Sequence, residues 1–218
     1  DLLEDRPARA GRWLLAGLAL GAALLSKYTA VLFGLGAFLI LATSPRGRRL
    51  LATPWPWLSG AIALACLTPV LVWNARNGWV SLGFQSGRAF GGTLHPLTFL
   101  EIQFGQALFL LPWIWAPAVW MVWRGLFRPQ APAERVFAIL AAVPIALFDA
   151  VSIFGGEQLA HWAMPGFLLA FPLVGLWCAD VAPRALRIGL AGSAGLVSAA
   201  ALIATLQAGS GFVTRALH

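Results

Sequence analysis

The sequence predicts an all-α polytopic membrane protein, and three observations carry that prediction. Of the 218 residues 60% are hydrophobic and only 11% are charged, a balance foreign to an ordinary soluble domain. At least five apolar runs of about 17 to 20 residues recur, including 55–73 and 137–154, each close to the length that spans a bilayer. Arginines gather on alternate connections between these runs, as membrane insertion favours. The excess of 15 Lys and Arg over 8 Asp and Glu therefore reads as membrane orientation, and nucleic acid is not an expected partner.

Seven apolar segments follow one another: 13–25, 28–42, 55–73, 105–123, 136–154, 162–179 and 188–207. They predict about seven membrane segments in a single transmembrane domain over 1–218. The first two are short, reaching roughly 20 and 22 Å at 1.5 Å per residue, against a hydrocarbon core of roughly 30 Å. They are either two helices meeting at Ser26, Lys27 and Tyr28, or one long tilted helix with Lys27 at its centre.

Charge separates the two readings. With two helices, Arg6, Arg9, Arg12, Arg46, Arg48, Arg49, Arg124, Arg128, Arg135, Arg184 and Arg187 share one side, leaving Lys27, Arg76, Arg88 and Arg215 on the other, a split of 11 to 4. A single merged helix leaves 8 against 6 and strands Lys27 at mid-membrane. An ammonium there is costly, and the first split fits the positive-inside tendency. Two helices are expected, with the arginine-rich side cytoplasmic.

The remaining span residues read as scaffold. Trp13, Trp55, Trp57, Trp73, Trp120, Trp123, Trp162 and Trp177 fall near segment ends, where an indole suits the headgroup belt. Gly17 and Gly21 form a small-residue face for close helix packing. Pro69, Pro112, Pro117, Pro144, Pro165 and Pro172 predict kinks or irregular ends. Cys66 and Cys178 lie in apolar runs without a neighbouring thiol, which points to neither a disulfide framework nor a metal knuckle. Segment 188–207 holds no charge. The opening residues Asp1 to Arg6 read as the interior of a longer polypeptide, whose upstream part is an expected partner of this chain.

Polar chemistry collects on the side opposite the arginines. It comprises the corner at 26–29, an extracytoplasmic connection with an interfacial segment at 74–104, a short loop at 155–161, and the tail. Lys27 is the sole lysine. It acts there either as a point charge for a lipid phosphate or as a stem that snorkels to the headgroups, with the Tyr28 hydroxyl beside it. Arg76 and Arg88 stand against the charge bias, and their planar forks suit either phosphate or pyrophosphate or, alternatively, headgroup contact or pairing with Glu101. Asn77-Gly78 is a turn signal, followed by an imperfectly amphipathic stretch.

Glu157 and His161 are four residues apart, close enough on a helix for the carboxylate to orient the imidazole or bind a sugar hydroxyl. Trp79 and Trp162 offer ring faces for stacking on a sugar. Asp149, within a span near its outer end, is a functional suspect because ionisable groups are costly in a membrane. These acids form no obvious catalytic pair. No histidine cluster supports a metal site, and divalent-metal dependence stays open.

Three blocks resemble a known group of enzymes. Gly17 to Val31, with Ser26-Lys27-Tyr28-Thr29 at its centre, resembles the signature run of polytopic glycosyltransferases that use lipid-linked sugars. These are the GT-C enzymes of glycosyltransferase family 39, related to protein O-mannosyltransferases and to the aminoarabinose transferase of lipid A. Residues 69–74, 77–79 and 84–88 are similar to a second block of that group, and His161-Trp162 with Pro165 to a third. The resemblance covers most of 13–180.

It implies a GT-C-like helical bundle in the bacterial cytoplasmic membrane. A sugar on polyprenyl phosphate, undecaprenyl phosphate in bacteria, would pass with inversion to an extracytoplasmic lipid, glycan or protein acceptor, with no cofactor beyond that donor. By the resemblance Lys27 approaches the carrier phosphate, Gln85 and Arg88 contact phosphate or sugar, and His161 and Trp162 line the substrate cavity. The group's catalytic aspartate lies in an outer loop after its first span, and nothing in 1–12 matches it. A complete active site is expected only with upstream residues, and this chain alone is expected to be inactive. A lipid or solute transporter or flippase, and a non-catalytic scaffold, are the rival readings.

Overall fold

A computed structural model describes residues 9–90, 96–154, 159–180 and 183–210, with only the helical backbone of Gln85 and Arg88 among the site residues. Ten α-helices run through the described residues: α1 Ala10–Ser26, α2 Val31–Thr43, α3 Pro45–Leu51, α4 Pro54–Arg76, α5 Val80–Phe90, α6 Pro96–Leu110, α7 Pro112–Phe127, α8 Pro132–Phe154, α9 Met164–Asp180 and α10 Pro183–Ser210. Short 3₁₀ turns precede α2 at Tyr28–Ala30 and α9 at Ala160–Ala163. No strand occurs among the described residues. The chain divides into two compact units, Asp1–Val174 and Gly175–His218.

The protein is an all-α polytopic membrane protein. Among the described residues four helical stretches are long and apolar enough to cross a bilayer singly, and up to six if each bent helix pair counts as one span. These counts support a polytopic bundle and do not fix the number of spans at the expected seven. One predicted span is interrupted. Segment 105–123 is not a continuous helix but breaks at Leu111, where α6 and α7 bend by 113°. Pro112 supplies the cause. It has no N–H to continue a helix, and it drives the preceding residue out of helical conformation. Leu111 leaves the helical region with the extended ψ of 132° that a following proline favours. Its φ of 71° is a strained value for a leucine, while its carbonyl accepts from Ile114 and Trp115 N–H at 2.9 Å to start α7. Pro69, Pro117, Pro144 and Pro172, by contrast, lie inside helices that continue through them.

The ambiguity at Lys27 resolves in favour of two helices. Lys27 is extended (φ −155°, ψ 124°) between α1 and the 3₁₀ turn. Beyond it α2 folds back so that a side chain at Gly34 would meet Leu20, two positions symmetric about the turn. Leu24 and Ala30 are buried together with Ala63 from α4, flanked by Leu20, Phe33 and Leu67.

Close approach of α1 to α4 depends on glycine. A Cβ at Gly17 would meet the Ser59 backbone at 2.5 Å, and one at Gly21 would meet Cys66 at 2.6 Å. The contacts 17 with 59 and 21 with 66 advance in the same sense, so α1 and α4 run parallel. This is the small-residue packing that lets membrane helices touch where apolar burial gives no drive.

Helix directions then order the first unit. Gly36 of α2 approaches Leu140 of α8, and Thr43 shares a cavity wall with Arg135, so α8 runs against α2 and toward the Lys27 end. Gly125 of α7 meets Glu134 and Ala138, so α7 runs against α8. Gly166 of α9 packs on Ala141 and Ile145, and Phe167, Ala170 and Leu173 are buried. As a result Arg9, Arg12, Arg46, Arg48, Arg49, Arg124, Arg128 and Arg135 all belong to one end of the unit, and Lys27 and Arg76 to the other. The asymmetry read from the sequence is built into the packing.

The arginine end is tied by polar contacts. Ser44 caps α3 by accepting from Gly47 N–H at 2.9 Å, after which Trp57 Nε1 donates to the Leu51 carbonyl at 2.9 Å. Arg124 pairs with Glu134 at 3.0 Å. The second carboxylate oxygen of Glu134 accepts from Gln130 N–H at 3.0 Å. Arg128 lies over the Trp123 ring, 5.7 Å from its centroid.

Candidate functional site

At the Lys27 end the chain builds two polar groups. The first starts from Asn74, fully buried in the last turn of α4. Its Nδ2 donates to the Val70 carbonyl at 3.0 Å, and its Oδ1 accepts from Leu82 N–H at 3.3 Å. Its own carbonyl accepts from Asn77 and Trp79 N–H at 3.1 and 2.8 Å. One residue thus closes α4 and opens α5, supplying partners to backbone groups that helix ends leave without them. Between them Gly78 and Trp79 have φ of 65° and 60°. Gly78 takes that conformation without cost, whereas Trp79 is held in it against its side chain, at about 1–3 kcal/mol.

The expected Asn77-Gly78 turn is present. The connection 74–104, expected as a loop with an interfacial segment, is mostly helix among its described residues: the end of α4, all of α5 and the first part of α6. Arg76 accordingly sits on the last turn of α4.

This turn delivers α5 to the Lys27 corner. The Tyr28 hydroxyl and the Ser81 hydroxyl are 3.1 Å apart, a bond across 53 residues. The bond ties the first turn of α5, the helix whose backbone carries positions 85 and 88, to the Lys27 turn. Lys27 and Arg76 are exposed, and neither side chain has an ion-pair or hydrogen-bond partner among the described residues. Trp79 is half exposed at the same junction.

The second group surrounds Asp149, five residues from the end of α8. Its Oδ1 accepts from Gln103 Nε2 at 2.9 Å and Gln106 Nε2 at 3.0 Å, both from α6. Gln106 is fully buried, and its Oε1 has no partner. Ser152 Oγ donates to the Asp149 carbonyl at 2.6 Å. The 3₁₀ turn at Ala160–Ala163 packs on α6 through Gly105, whose Cβ would sit 2.8 Å from that of Ala160. His161 is exposed with its ring 6.3 Å from Phe109, and Trp162 meets Phe148 edge-on at 6.1 Å.

Thus the fold gathers Lys27, Tyr28, Arg76, Trp79 and the helix bearing Gln85 and Arg88 at one corner. It gathers Asp149, His161 and Trp162 around α6, with α5 packed against both α4 and α8. Glu157, the expected partner of His161, lies outside the described residues. Among the described residues no group of three His, Cys, Asp or Glu is arranged to hold a metal.

Four participants escape a reading of the sequence: Asn74, Ser81, Gln103 and Gln106. The two glutamines carry a usable signal. Amides three residues apart in an apolar helix share a face and need a polar partner, and Asp149 is an acid without one in its own span.

Comparison with known proteins adds one finding. The family model described as dolichyl-phosphate-mannose-protein mannosyltransferase matches residues 4–73. The match ends at Trp73. It takes in α1, the Lys27 turn, α2, α3 and most of α4, about a third of the chain, and leaves α5, Asp149 and His161 outside. No curated protein and no solved structure matches. Over its first third the chain is similar to membrane mannosyltransferases, which hints at a glycosyltransferase type of role.

Proposed function

We propose that this chain forms part of a membrane glycosyltransferase that takes a sugar from a polyprenyl phosphate carrier and passes it to a hydroxyl acceptor at the membrane surface. The observation that carries the reading is the Tyr28–Ser81 bond, which joins the exposed Lys27 turn to α5. An uncompensated ammonium and the Arg76 guanidinium at one end of an apolar bundle suit a lipid phosphate. The similarity of 4–73 to dolichyl-phosphate-mannose-protein mannosyltransferases supports the same choice of donor.

In this reading Lys27 and Arg76, with Gln85 and Arg88 from α5, hold the phosphate as the glycosidic bond to it breaks. They offset the charge that develops on the leaving oxygen. Trp79 and Trp162 offer faces to the sugar. Attack by the acceptor oxygen from the opposite side inverts the anomeric carbon, and its proton passes to a carboxylate. Asp149 and Glu157 are the weak candidates for that base within the chain, with His161 as an alternative proton acceptor. An aspartate upstream of Asp1 is the stronger expectation. The membrane is the bacterial cytoplasmic membrane, with this end facing outward.

The test is sugar transfer from radiolabelled polyprenyl-phosphate hexose by vesicles carrying the full natural polypeptide. Labelled acceptor that disappears with Lys27→Ala supports the reading. The broken α6–α7 pair favours one rival, a transporter built on discontinuous helices. Movement of the lipid across the vesicle without product would select it.

A further inference from the structure

The arginine end of the first unit carries an apolar trough with a polar mouth. A cavity of about 360 Å³ opens between α2, α7 and α8, walled by Leu39, Phe127, Ile139 and Val143, with Thr43 and Arg135 as its polar members. Thr43 ends α2, Phe127 ends α7 and Arg135 lies in the first turn of α8. The polar members therefore mark one mouth. From Arg135 to Ala146, the deepest lining position on α8, the trough runs about 16 Å at 1.5 Å per residue. That is about half of a roughly 30 Å hydrocarbon core, or one leaflet.

The charge at the mouth is uncompensated. Arg124 is paired with Glu134, and Arg128 lies over Trp123. Glu134 neighbours Arg135 in sequence, but its carboxylate is taken by Arg124 and Gln130, and adjacent helical positions do not face each other. Arg135 is exposed and has no partner among the described residues.

We infer that this groove binds one anionic glycerophospholipid, its phosphate on the Arg135 guanidinium and one acyl chain along the trough. An apolar channel one leaflet deep with a free planar cation at its rim complements an amphiphile of that charge and length, because a guanidinium matches two phosphate oxygens at once. A transmembrane helix from a partner would fill the trough but leave the guanidinium unsatisfied. The inference does not rest on the transferase reading, since Thr43 lies at the end of α2 remote from Lys27.

The test is native mass spectrometry of the purified full chain with dioleoylphosphatidylglycerol or dioleoylphosphatidylcholine at equal concentration. The wild type should retain one phosphatidylglycerol about fivefold more strongly than phosphatidylcholine, the effect of one basic residue against an anionic headgroup. Arg135→Gln should bring the ratio to one, Arg128→Gln should leave it unchanged, and Ala142→Phe should reduce retention of both lipids. Equal retention by the wild type, an unchanged ratio in Arg135→Gln, an equal loss in Arg128→Gln, or full retention in Ala142→Phe would each overturn it.

Discussion

The two ends of the first unit use positive charge in different proportions, one pairing most of the cations near its polar core and the other pairing none among the described residues. At the α7–α8 end, Arg124 is consumed by Glu134 and Arg128 by the Trp123 ring. At the Lys27 end, the ammonium and the Arg76 guanidinium stand exposed without a partner among the described residues, while buried polar groups beneath them are satisfied by Asn74. One end commits Arg124 and Arg128 to contacts within the chain and leaves Arg135 exposed. The other uses a neutral amide for structure and leaves its cations exposed.

The largest effect should come from the structural end. Glu134→Ala leaves the Arg124 guanidinium and Gln130 N–H without their carboxylate, and removing one partner of a largely buried pair costs about 3 kcal/mol. The thermal midpoint in detergent should fall clearly, while transfer measured at low temperature stays near wild type. A variant as stable as wild type would erase the proposed contrast.

Asn74→Leu comes next, at about 2 kcal/mol for a buried donor left unsatisfied at Leu82. Because Asn74 also opens α5, transfer should fall together with stability. Lys27→Ala should behave differently, losing at least about tenfold in rate, about 1.4 kcal/mol of transition-state stabilisation, with an unchanged thermal midpoint. A loss of stability there would make Lys27 a structural residue and level the two ends. Tyr28→Phe removes one hydroxyl–hydroxyl bond and should lower stability by about 1 kcal/mol, with a smaller fall in transfer than Lys27→Ala.

Much of this division was legible from residues alone. Apolar run length announced the helices, and the asymmetry of arginines predicted both the turn at Lys27 and the common end of the cationic helices. Asn77-Gly78 announced the entry to α5. Hydropathy, however, reports that a segment prefers lipid and says nothing of its direction. It therefore ran through Pro112 and joined α6 to α7, where the backbone bends by 113°.

The polar partners escaped for a different reason. Tyr28 meets Ser81 across 53 residues, and Asp149 meets Gln106 and Gln103 across 43 and 46. Such pairs are set by helix packing, and no local pattern encodes them. Small residues at Gly17 and Gly21 did mark a packing face, but only the fold names α4 as its partner.

The account turns on whether the free cations at the Lys27 end hold a lipid phosphate. The most direct measurement is the affinity of purified protein for polyprenyl phosphate in detergent, compared between wild type and Lys27→Ala. Binding about tenfold weaker in the variant, with the same thermal midpoint without ligand, is the predicted result. Equal affinity in the two proteins would contradict it.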